Sequence, residues 1–224
     1  MTSSEAAYAT ICDRVGAAAR RAGHPARVLA VSKTKPASSI RELAGLGQRE
    51  FGENYVQEAL AKQRELAELP LQWHLIGPLQ SNKCREVSEH FDWIESLDRE
   101  KLVAPLNRYR PAGRLPLNVL IQVNIDAEAS KSGCAPGAVP DLARHVAEAP
   151  RLLLRGLMAI PEPHPDLAVR RAAFRRMREL FDDLRKGYPA VDTLSLGMSD
   201  DFEPAIEEGA TLVRIGTALF GTRG

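Results

Sequence analysis

Three cysteines, Cys12, Cys84 and Cys134, are too few, too scattered and of the wrong parity for a disulfide framework, and with no CxxC pair they make no zinc cage. A reducing cytoplasm is the expected setting. No run approaches the roughly 18 apolar residues that span a bilayer. The first 23 residues carry Glu5 and Asp13 and lack the apolar stretch of a secretory leader, so neither membrane insertion nor export is expected. A field of one sign is missing too: 30 Lys+Arg against 29 Asp+Glu leave a net charge of +1. Nothing general would therefore recruit nucleic acid or an anionic membrane, and any anion must be held locally. No strand-to-helix junction reads G-x-G-x-x-G, which counts against a dinucleotide-binding sheet.

What is present is an ordinary globular composition, 44% hydrophobic and 26% charged over 224 residues, enough for a large core. Thr2 and Glu5 stand in the spacing of a capping box, followed by apolar residues on a helical period as far as Gly23. Eight short apolar runs come next, starting near residues 28, 50, 72, 92, 118, 153, 193 and 211, each followed by turn chemistry and most by an amphipathic stretch. Strict alternation of strand and helix implies parallel strands joined by right-handed crossovers. Eight units predict a single (β/α)8 TIM barrel spanning 1–224, with an extra N-terminal helix covering the gap left where the last helix is too short. A doubly wound sheet is the alternative.

In such a barrel the chemistry lies at the C-terminal ends of the strands, and phosphate is usually held after strands seven and eight. The first strand ends Ala30-Val31-Ser32-Lys33-Thr34-Lys35-Pro36, and alternation puts Lys33 on the inward face with Leu29 and Val31. Lysine is rarely buried without a reason. Desolvation would favour the neutral amine that attacks carbonyls, whereas a plain surface lysine at a strand end is the other reading. Lys35, next to Pro36, is expected to be the looser and more exposed of the pair. Strand seven runs into Met198-Ser199, with Ser199 as a plausible helix N-cap, and strand eight into Arg214-Ile215-Gly216-Thr217. Two hydroxyls, a small glycine and a helix start together make a phosphate cradle, although each is common singly. Arg214 points inward and needs an acceptor, either a ligand or a strand-end acid such as Glu53. Asn54 and His74 could line the mouth, although a lone His in an apolar strand is more often a core residue, and the long loop from Asp126 to Gly137 holds Lys131 on the same rim.

These segments resemble the pyridoxal phosphate homeostasis protein family, single-barrel relatives of the N-terminal domain of alanine racemase. The likeness is carried by AVSKTKP at 30–36, FGENYVQE at 51–58, WHLIGPLQSNK at 73–83, SKSG at 130–133, LSLGMSDDFEPAI at 194–206 and VRIGTALFG at 213–221. The resemblance implies that Lys33 holds pyridoxal 5'-phosphate as a Schiff base. It implies that Ser199, Gly216 and Thr217 bind the phosphate, that Arg214 faces the pyridine nitrogen, and that Asn54, His74 and Met198 lie near the ring. Lys131 is implied in release or transfer. The racemases draw their second acid/base from an added domain and a partner subunit, and no such domain is expected here. The expected function is a monomeric carrier that buffers pyridoxal phosphate and delivers it to apoenzymes without turnover. A weakly active amino-acid racemase and a Schiff-base aldolase are the alternatives.

Overall fold

The computed structural model describes residues 3–128 and 132–221. Thr2 of the expected capping box and Lys131 lie outside the described residues. The chain opens with α1 (Ser3–Ala22), which stops where Gly23 turns to φ 73° and its N–H and that of His24 both donate to the Ala19 carbonyl. Strands β1 (Arg27–Val31), β2 (Glu50–Glu53), β3 (Gln72–Leu75), β4 (Trp93–Leu97), β5 (Leu117–Gln122), β6 (Leu152–Met158), β7 (Thr193–Ser195) and β8 (Leu212–Ile215) follow. All pair in parallel with their sequence neighbours, and β8 closes on β1 through Leu29 opposite Arg214. The closed (β/α)8 barrel anticipated from the alternation is what forms, and each strand begins within a residue of its expected start.

Helices α2 (Ala37–Gly45), α3 (Val56–Glu65), α4 (Cys84–His90), α5 (Val103–Tyr109), α6 (Val139–Ala147), α7 (Leu167–Gly187), α8 (Phe202–Glu207) and α9 (Thr217–Phe220) surround it. Their inner faces follow the helical period: α6 buries Val139, Leu142, Ala143 and Val146, and α7 buries Phe174, Met177, Phe181 and Leu184. Asp166 caps α7 by accepting from the Ala168 N–H at 2.8 Å. At four residues α9 is too short to cover β8, and α1 packs against α2, α8 and α9 to close that side.

Most apolar burial lies between strands and helices, where Phe51, Phe91, Phe174, Phe181 and Phe202 are all buried. Each is worth about 1.5–3 kcal/mol over an exposed position. The barrel interior is different. Trp93, Leu120 and Met158 form a small separate cluster there, and the remaining interior is markedly polar. His74 stacks on Trp93 with ring centroids 5.0 Å apart and planes 6° apart, while the guanidinium groups of Arg27 and Arg155 lie over the indole at 5.8 and 4.7 Å.

Candidate functional site

β1 ends at Val31, and the chain then turns sharply: the Lys35 N–H donates to the Ser32 carbonyl at 3.0 Å and Thr34 adopts φ 64°. Lys33 sits inside this turn, half-buried, with its side chain lining a cleft of about 500 Å³ at the C-terminal mouth of the barrel. Lys35 leaves in another direction. Its Nζ donates to the carbonyls of Phe220 and Gly221 at 3.1 and 3.2 Å, which tethers it to the end of α9.

Opposite Lys33 the cleft is lined by Met198, Ser199, Asp200, Arg214, Gly216 and Thr217 from the segments after β7 and in and after β8. The β7 turn depends on Gly197, whose φ is 83° and where an added Cβ would stand 2.7 Å from Ala205 Cβ. Ser199 is not the N-cap of α8. That position is taken by Asp201, whose Oδ1 accepts from the Met198 N–H at 2.7 Å, so one of the two acids turns back onto its own loop. Asp200 remains at the cleft. The hydroxyl of Ser199 is thereby left outside the helix cap, and Thr217 opens α9, whose first bonds run from the Leu219 and Phe220 N–H groups to the Gly216 carbonyl.

Arg214 is buried, and its acceptors are well defined. One terminal nitrogen donates to the Ser195 carbonyl at 2.8 Å and to Ser195 Oγ at 2.7 Å, the other to the Ala159 carbonyl at 2.8 Å. Of its five N–H donors, two have no acceptor among the described residues, and the side chain lines the cleft. The acid serving it is not Glu53, which instead accepts from Ser32 Oγ and from Lys62. It is Glu95, fully buried, whose Oε2 accepts from Ser195 Oγ at 2.7 Å and whose Oε1 meets His74 Nδ1 at 2.8 Å. Burial pushes the Arg214 guanidinium below its ordinary range, opposed by the charge of Glu95 and then of Asp201. Burial would raise Glu95, but His74, Arg214 and Ser195 outweigh it and hold the carboxyl below its usual value.

Of the residues singled out in the sequence, Lys33, Asn54, Met198, Ser199, Arg214, Gly216 and Thr217 line the one cleft. His74 does not. It points inward from β3 but lies beneath the mouth, fully buried between Trp93 and Glu95. Residues the sequence reading passed over also line the cleft, among them Ile76, Gln122, Ser132 and Ile160. Gln122 carried a signal, as a polar residue at the end of the otherwise apolar run Val119-Leu120-Ile121; its Nε2 donates to the Ser132 carbonyl at 3.2 Å and draws the β5 loop inward.

A family model described as the alanine racemase N-terminal domain matches residues 8–224. The chain is 60% identical over 218 residues to a protein of Pseudomonas aeruginosa named pyridoxal phosphate homeostasis protein, covering 96% of this chain and 94% of the relative. A protein of the same name from Escherichia coli strain K12 is 54% identical over 221 residues, with coverage of 96% and 94%. Among solved structures, PipY of Synechococcus elongatus with PLP bound aligns at a TM-score of 0.79 and 39% identity, over 94% of this chain and 100% of that chain. No helix among the described residues is long and apolar enough to cross a membrane.

Proposed function

The chain belongs to the pyridoxal phosphate homeostasis protein family, built on the alanine racemase N-terminal domain, and from that premise we propose that it captures pyridoxal 5'-phosphate reversibly on Lys33, buffers it and passes it to apoenzymes without turnover. The observation that carries this reading is the convergence of one amine, one buried guanidinium and the hydroxyls of Ser199 and Thr217 on a single cleft of about 500 Å³. The group fits those residues, since the cleft pairs a primary amine for an aldehyde with hydroxyl and backbone donors for a phosphate. When bound, pyridoxal phosphate supplies an aldehyde that condenses with an amine to a Schiff base, losing one water, and hydrolysis restores both partners.

Lys33 Nζ supplies that amine. Ser199, Thr217 and the backbone about Gly216 take the phosphate, and Asn54 and Met198 flank the ring. Arg214, which lines the cleft with two N–H groups to spare, would donate to the ring nitrogen. A guanidinium keeps its protons at neutral pH, and although burial pushes Arg214 below its ordinary range the charge of Glu95 opposes that, so the side chain would donate to the nitrogen and not protonate it. That weakens the electron sink on which carbanion chemistry relies. The racemase alternative needs a second base, and His74 lies in the barrel interior, away from the cleft. Besides Lys33 and Arg214, the titratable group among the described lining residues is Asp200. The carrier reading is favoured on those grounds, with Lys131 proposed to assist release.

Reduction of the protein–pyridoxal phosphate mixture with borohydride, followed by peptide mass mapping, tests the assignment. The adduct is expected on Lys33, and Lys33→Ala should abolish the major labelled peptide. Label on Lys35 or Lys131 with Lys33 bare would overturn it. Incubation with L-alanine and other amino acids should leave optical rotation unchanged, and rapid Lys33-dependent loss would restore the racemase reading.

A further inference from the structure

Bonded to the Lys33 turn, but not among the residues that line the cleft, is a second lysine that the proposed chemistry does not use. Lys62, on α3, is 5% exposed. Its Nζ donates to the Ser32 carbonyl at 2.7 Å, to Glu53 Oε1 at 2.7 Å and to Glu58 Oε1 at 2.6 Å, which commits all three ammonium donors. The same two carboxylates hold the residues on either side of Lys33. Glu53 Oε1 accepts from Ser32 Oγ at 2.6 Å, and Glu58 Oε1 accepts from the Thr34 backbone N–H at 2.6 Å. Thr34 needs such a hold, because a β-branched residue at φ 64° occupies a conformation it adopts only when its surroundings impose it.

We infer that Lys62 is a positioning residue for Lys33: by binding Ser32, Glu53 and Glu58 at once it fixes the turn that aims the Lys33 amine into the cleft. A buried ion cluster is poor value as pure stabilisation, since apolar side chains of the same volume often serve as well. What it does supply is geometry. One ammonium ties the end of β1 to the end of β2 and the first turns of α3, so the strained residue after Lys33 cannot relax into a continuing strand. The inference rests on Lys33 being the aldehyde-binding lysine.

The experiment compares wild type, Lys62→Met and Glu58→Ala in three measurements. The first is the rate of Schiff-base formation with pyridoxal phosphate, followed by absorbance. The second is binding of pyridoxine 5'-phosphate, which carries the ring and phosphate but no aldehyde. The third is competitive labelling of Lys33 against the other lysines by an amine acetylating reagent on the ligand-free protein. Lys62→Met is expected to slow Schiff-base formation at least tenfold and to change the relative labelling of Lys33, while pyridoxine phosphate binds within about twofold of wild type. Glu58→Ala, which leaves Lys62 and Glu53 paired, should slow it about threefold, and it carries the test if Lys62→Met does not fold. Schiff-base formation at the wild-type rate in the folded variants overturns the positioning role, as does a parallel loss of pyridoxine phosphate binding, which marks general damage. Absence of a Lys33 adduct in wild type itself would instead refute the underlying assignment of Lys33.

Discussion

Glu95→Ala is expected to lower the free energy of unfolding by about 3–5 kcal/mol, because removing one partner of a buried ionic network strands the others without compensation. The carboxylate is fully buried, binds His74 and Ser195 directly and faces Arg214 across the Ser195 hydroxyl. Its loss leaves a guanidinium in the barrel with carbonyl and hydroxyl acceptors only, and leaves His74 Nδ1 without its acceptor. Urea titration of wild type, Glu95→Ala and Glu95→Gln measures this. Glutamine keeps the shape without the charge and should fall between the other two. The pH dependence follows from the direction of the shift. Glu95 is held below its ordinary value in the fold, so its contribution is present in full above the unfolded carboxylate value of about 4.3 and disappears as pH falls through the lower, folded value. The stability gap between wild type and Glu95→Gln should therefore narrow on acidification, and a gap that widens would contradict the assignment.

Gly156→Ala should cost a comparable amount. Gly156 lies in β6 opposite Thr193 of β7, at φ 147°, and an added Cβ would stand 1.9 Å from the Thr193 carbonyl oxygen. Neither penalty can be relieved by a rotamer, since both are properties of backbone. Positive-φ strain of about 1–3 kcal/mol and overpacking of a similar size together give about 2–6 kcal/mol. Because β7 leads directly into the Met198–Ser199 segment, its displacement should also weaken binding of phosphate-bearing ligands. Gly113→Ala is the control: nothing lies within 4 Å of its added Cβ, so thermal denaturation should place it within about 0.5 kcal/mol of wild type.

The polar interior explains why some site residues could be read in advance and others could not. Lys33 was conspicuous because a lysine closes an apolar strand, and Ser199, Gly216 and Thr217 because hydroxyls and a glycine follow the seventh and eighth strands. Glu95 sits in Trp93-Ile94-Glu95-Ser96-Leu97, an equally conspicuous charge in a strand, yet its partners His74, Ser195 and Arg214 come from three other strands. Lys62 gave no sign at all. On α3 it occupies a helical position suited to any solvated lysine, and only docking of α3 against the ends of β1 and β2 buries it.

Strand and helix periods, turn residues and the count of eight units favoured the closed barrel over a doubly wound sheet and indicated which faces of its strands point inward, because side-chain alternation is a local property of the backbone. Height along the barrel axis is not local. It depends on how far each tilted strand is staggered against its neighbours when the sheet closes, and that stagger sends Asn54 to the mouth and His74 into the layer below, although both belong to the strand-two and strand-three region expected to line it. Tertiary closure likewise decided that Arg214 would be answered by Glu95 and not Glu53, and that the turn bearing Lys33 would be gripped by Lys62. In each case the deciding contact joins residues far apart in the chain, and no pattern within one segment can specify it.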